Sequence, residues 1–176
     1  GSNRDPSQRT SSPLVKRKRD SCSRNSNIHF STWDEPQVRV SRVVSGPRNL
    51  ETYKNFILKL EVKLLGGPKA NAGIQIRTKR IPNHHEVIGY QADMGQGWWG
   101  SLYDESRRRT TLAKADAAVI KKVLKPNEWN RYEIRCEGKR IRLFINGTQT
   151  VDYTEPDPKI PLEGVIAVQI HGGPPS

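Results

Sequence analysis

Four short blocks of the chain each set two polar side chains two residues apart: Gln75 and Arg77 in "GIQIR", Gln91 and Asp93 in "GYQAD", Tyr103 and Glu105 in "LYDE", and Gln169 and His171 in "VQIHG". Asp93, Glu105 and His171 can carry protons, so together they read as acid/base machinery, with Arg77 a guanidinium able to stabilise a developing oxyanion. The same acids and imidazole suit a divalent cation, and spacing does not separate the two chemistries. The amides of Gln75, Gln91 and Gln169 and the Tyr103 phenol are planar groups that hydrogen-bond vicinal hydroxyls, while an indole, Trp99 or its neighbour Trp98, covers the apolar face of a pyranose. Sugar is the ligand class this mixture fits. The plain alternative is a solvated sheet face.

A spacing of two matters only on a strand, where alternate side chains share a face. The flanking sequence supplies that context. "NFILKLEVKLL" alternates Phe56, Leu58, Leu60, Val62 and Leu64, and "GGPKANAG" then breaks the run. Further strand-like runs follow in "GIQIRTK", "EVIGYQADM", "GSLYDE", "NEWNRYEIRCEG", "KRIRLFING", "TQTVDY" and "GVIAVQIHG". Asn146-Gly147 marks a two-residue hairpin, since both residues tolerate positive φ. With Ile74 and Ile76 facing a core, Gln75 and Arg77 face away from it, and the same parity turns the other three pairs outward. Many short strands of this kind predict an all-β sandwich or jelly roll. One segment departs from the pattern: "TLAKADAAVIKKVLKP" puts Leu112, Ala115, Val119 and Val123 three and four apart with Pro126 as a stop, which predicts a short amphipathic helix or ordered loop on the surface.

Composition sets the outer limits. The 176 residues carry a formal net charge of +12. Of this, +5 falls between Gly1 and Phe30, where seven Lys/Arg face Asp5 and Asp20. Residues 1–27 read as a basic, flexible arm and 28–176 as a sandwich domain, with the opening Gly-Ser an expression scar. The arm's "KRKR" resembles a nuclear import signal, and its charge suits nucleic acid or another acidic partner bound in a salt-dependent way. Two cysteines, Cys22 and Cys136, build neither a disulfide framework nor a thiolate cluster, and Cys136 shares the parity of Tyr132 and Ile134, so a buried thiol is expected. No apolar run approaches the roughly 20 residues of a membrane helix. "GQGWWG" lacks the strand and helix context of a nucleotide-binding loop.

Taken in order, "NFILKLEVKL", "AGIQIR", "GYQADMG", "GSLYDE", "KPNEWNRYEIRCEGKRIRLFINGTQTVDY" and "LEGVIAVQIHGGPP" resemble consecutive blocks of the 3-keto-disaccharide hydrolase family, from about Thr52 to Pro175. The resemblance implies a concanavalin A-like jelly roll of two curved antiparallel sheets that binds sugar on its concave face. It also implies export to the periplasm or the extracellular space, and activity on glycosides already oxidised to a ketone at carbon 3. The implied mechanism is elimination, in which a base removes the acidified C2 proton, an enediolate forms, and the C1 substituent leaves before water adds. It adds Tyr90 of "GYQAD" to the polar positions. Family members continue past "HGGPP" into a closing strand, and "PQVRVSRVV", Pro36 to Val44, reads much like that strand and is expected to take its place from the other terminus. Two other functions stay open: a non-catalytic carbohydrate-binding module using the same face, and a binder of nucleic acid or acidic partners through the arm.

Overall fold

The computed structural model describes residues 37–45, 52–84 and 86–170. The basic arm, Cys22, Pro36 and His171 lie outside them. Among the described residues the chain forms ten strands and one short α-helix: β1 Gln37–Ser45, β2 Phe56–Lys63, β3 Asn71–Arg80, β4 Val87–Gly95, β5 Leu102–Glu105, β6 Thr110–Ala113, α1 Ala117–Val123, β7 Asn130–Glu137, β8 Arg140–Ile145, β9 Thr148–Thr154 and β10 Val165–Ile170. No helix among them is long and apolar enough to cross a membrane.

The strands make two five-stranded antiparallel sheets, ordered β1-β2-β7-β8-β9 and β10-β3-β4-β5-β6. This is the expected sandwich. Alternation explains the packing: Phe56, Leu58, Leu60 and Val62 of β2 and Tyr132, Ile134 and Cys136 of β7 face Ile74, Ile76, Ala92, Met94 and Leu102 of the other sheet. Each large aliphatic side chain removed from water there contributes about 1.5–3 kcal/mol. Cys136 is fully buried, and burial pushes its thiol up to about 12 despite the pull of Arg77, so it is an inert core residue. Tyr132 crosses the core, its hydroxyl donating to the Asp93 carbonyl at 3.3 Å.

Asn146 and Gly147, at φ 50 and 87, form the β8–β9 turn at the predicted place. The strand expected over Pro36 to Val44 is β1, an edge strand antiparallel to β2 from Gln37↔Lys63 to Ser45↔Phe56 with an irregularity between Val40 and Arg42. The helical expectation needs correction at its start. Leu112 belongs to β6, whose Ala113 pairs with Leu102, and the helix begins only after Asp116, whose carboxylate accepts from the Ala118 and Val119 amides. An N-cap aspartate, not the apolar spacing, sets that boundary. The helix ends at Val123, with Leu124 as its C-cap, before Pro126.

Candidate functional site

The registers of β10, β3, β4 and β5 decide which polar residues meet. Gln169 lies opposite Gly73 and Gly73 opposite Asp93; Gln75 lies opposite Gln91 and Gln91 opposite Tyr103; Glu105 lies opposite Gly89. Directly opposed residues point to the same side of a sheet. Because Ile74, Ile76, Ala92 and Leu102 point into the core, the outer face of the second sheet carries Gln169, Gln75, Gln91, Asp93, Tyr103 and Glu105 as neighbours.

A short hydrogen-bond chain organises this group. Gln75 Nε2 donates to Gln91 Oε1 at 3.1 Å, and Gln91 Nε2 donates to Asp93 Oδ1 at 2.9 Å. Gly73 makes the chain possible: a Cβ there would stand 2.5 Å from Gln91 Cδ and 2.8 Å from its Nε2. The sequence reading passed over Gly73, although it has the same strand parity as Gln75. Gln169 Oε1 is buried and meets no donor among the described residues.

Asp93 is 7% exposed. Burial, which disfavours the charged form, pushes its carboxyl up to about 7; the Gln91 hydrogen bond works against that rise, and the nearby Glu105 charge adds to it. The Tyr103 phenol is also raised, first by desolvation and then by the charges of Glu105 and Asp93, with Arg109 opposing. A carboxyl poised near neutrality and oriented by an amide is suited to accepting or giving a proton at physiological pH.

Three predicted residues stand elsewhere. Arg77 does not face outward. Between Ile76↔Tyr90 and Lys79↔Ile88 two residues of β3 oppose one of β4, and Arg77 sits in this bulge at φ 50. The bulge breaks the alternation, and the guanidinium, 2% exposed, turns inward to donate through Nε and Nη2 to the Lys54 carbonyl at 3.0 and 2.5 Å. Its charge is felt at Cys136 and Tyr90, on the core side. Tyr90 also points inward. It donates to Glu155 Oε2 at 2.6 Å, under the Arg107 guanidinium 4.8 Å from its ring centroid. Trp99 packs in the core cluster and borders a separate cavity of about 440 Å³ with Leu64, Pro68, Ile120 and Leu124. Trp98 is the exposed indole of the pair, at 45%, with Lys114 Nζ 5.5 Å from its ring centroid.

His171, the predicted imidazole, lies outside the described residues, and among those residues no group of three or more His, Cys, Asp or Glu side chains could hold a metal ion.

Sequence reasoning also did not anticipate a buried ionic network beside the site. Asp104 accepts from Arg107 and Arg108, and Glu155 accepts from Arg108, Tyr90, Tyr153 and the Asp157 amide. Burial opposes ionisation of Glu155, but the hydrogen bonds from Arg108 and Tyr90 outweigh it and hold the carboxyl at about 2.

Comparison with solved structures finds the same fold in other proteins, these two among them. Carbohydrate-binding module CBM66 from Bacillus subtilis superposes with a TM-score of 0.55 at 11% identity, over 78% of this chain and 74% of that one. A candidate glycosyl hydrolase from Parabacteroides distasonis superposes with a TM-score of 0.53 at 15% identity, again over 78% and 74%. Among curated proteins none matches the sequence significantly. Residues 48–176 match the 3-keto-alpha-glucoside-1,2-lyase-like domain, and the chain belongs to that family.

Proposed function

We propose that the domain binds a 3-keto-glycoside on the outer face of the second sheet and cleaves it by elimination, with Asp93 as the base. The observation that carries this reading is Asp93 itself: nearly buried, oriented by Gln91, and poised at about 7 beside a row of amides. A ketone at C3 acidifies the C2 proton, so a carboxylate with a raised pKa is well matched to remove it. As that proton moves to Asp93, the C–H electron pair enters the C2–C3 bond and the carbonyl oxygen becomes negative. Collapse of this enolate forms the C1–C2 double bond and expels the C1 oxygen, which takes up a proton from water. Water then adds across the double bond. Gln75, Gln169 and Tyr103 hold the sugar hydroxyls, and the buried Gln169 Oε1 suits a hydroxyl donor.

The test is turnover of a synthetic 3-keto-disaccharide, with the unoxidised disaccharide as control. The keto sugar alone should be cleaved, and Asp93→Asn should lower kcat by about 10²- to 10⁴-fold with the fold intact. A second reading, a carbohydrate-binding module without catalysis, draws support from the Gln75–Gln91–Asp93 chain, which would hold hydroxyls equally well, and from the fold shared with the Bacillus module. Saturable binding of the unoxidised glycan, with no product from the keto sugar, would select it.

A further inference from the structure

The hydrogen-bond chain Gln75–Gln91–Asp93 has a direction. An ionised carboxylate can only accept, so Asp93 Oδ1 needs the amide nitrogen of Gln91 beside it, and at 2.9 Å it has it. Gln91 Oε1 is thereby turned toward β3, where Gln75 Nε2 donates to it at 3.1 Å. Turning the Gln91 amide over by itself would set two acceptors 2.9 Å apart at Asp93 and two donors 3.1 Å apart at Gln75. Both glutamines are nearly buried, so water is no ready substitute for either bond. Without Gln75, the Gln91 oxygen would be a buried acceptor lacking a donor. Its side chain would have to move to satisfy it, at the expense of the bond to Asp93.

Register fixes the two amides to each other, since Gln75 of β3 and Gln91 of β4 are directly opposed. Among the described residues Gln75 is the one donor to Gln91 Oε1, and Gln91 the one donor to the Asp93 carboxylate. The other groups facing Asp93 do not replace it. From β5 come Tyr103 and Glu105, which act on it by charge, and from β7 comes Tyr132, whose hydroxyl goes to the Asp93 backbone carbonyl. Opposite Asp93, β3 brings only Gly73, and beyond it β10 brings the neutral Gln169. The donor on the carboxylate therefore depends on a residue that does not itself touch Asp93.

We infer that Gln75 is a positioning residue: its donation to Gln91 Oε1 holds the Gln91 amide with Nε2 on Asp93, so that the carboxylate keeps its donor. Its effect on turnover rests on the elimination reading above; its effect on Asp93 does not. The experiment follows the Asp93 carboxyl signal by carbon-13 NMR across the pH range in wild type, Gln75→Met, Gln91→Met and the double variant. Values of kcat and KM on the keto-disaccharide are measured alongside. In Gln75→Met the Asp93 midpoint should rise by roughly half to one pH unit, carrying the acid limb of kcat/KM with it. The double variant should match Gln91→Met alone, because Gln75 acts through Gln91. Gln75→Leu makes the same test if the methionine variant does not fold. A midpoint unmoved in Gln75→Met, even with a raised KM, or an equal further rise in the Gln91→Met background, would overturn the role of Gln75 and leave the elimination reading standing. Midpoints that move as expected in a protein that leaves the keto sugar intact would support the role of Gln75 and overturn the elimination reading.

Discussion

The smallest residue of the site has the most specific consequence. Gly73 leaves room for the Gln91 side chain to lie between Gln75 and Asp93. In Gly73→Ala the new methyl would meet a flexible side chain and not backbone, so the domain should fold while the Gln91–Asp93 bond is displaced. Turnover should then fall on the order of 10²-fold. That bond is the interaction favouring ionised Asp93, so its loss should also move the acid limb of the pH–rate profile above 7. A steady-state pH series on the variant checks both outcomes. Much of this face was legible because a strand's period of two admits no ambiguity while the ladder is regular: Gln75, Gln91, Asp93, Tyr103 and Glu105 stand where parity puts them. Arg77 was misread for the complementary reason, since one extra residue in the ladder cancels the alternation and nothing in "IQIRTK" marks it. Trp98 and Trp99 lie in a turn, where period carries no information about which indole faces out.

At the scale of elements, the β3 bulge and the Asp104–Glu155 network position the site without joining it. Gly164 forms a bridge with Tyr53 and lies against the bulge, where a Cβ would stand 2.5 Å from the Arg77 carbonyl carbon and from Thr78 O. These are backbone atoms that cannot swing aside, so Gly164→Ala should cost roughly 2–4 kcal/mol, read as a shift in the urea midpoint. Glu155 joins the end of β9 to Tyr90 of β4 and to the arginines after β5. Its folded pKa lies below its ordinary value, so the stability it contributes is present above about pH 4.5 and is lost as pH falls toward 2. Glu155→Gln should cost about 3 kcal/mol at pH 7, because Arg108 loses a buried partner, and should flatten the acid side of the stability profile. Pairings of this kind join residues as far apart as Arg108 and Glu155, beyond any local pattern. The start of α1 was readable in principle from Asp116, but apolar spacing alone extended the helix into β6.

Over the described residues, two sheets share one core, and the proposed site lies on the outer face of the second. In the first sheet, β1 pairs with β2 along its length at the edge. Deleting Gln37–Ser45 would uncover the backbone of β2, and the melting temperature should drop by several degrees or the domain should fail to fold. A cooperative melt at the wild-type temperature would show that β1 contributes nothing to the fold. Sandwich architecture and family were both legible, because ordered blocks and turn signals survive without knowledge of register. The electrostatics of Asp93 were not, since they depend on how deeply the assembled face buries it. The most direct measurement is therefore kcat/KM for a 3-keto-disaccharide across pH 5 to 9. With Asp93 as a base of pKa about 7, the rate should rise tenfold per pH unit below 7, level off above it, and collapse in Asp93→Asn; a profile that is flat through neutrality, or survives in Asp93→Asn, would contradict the account.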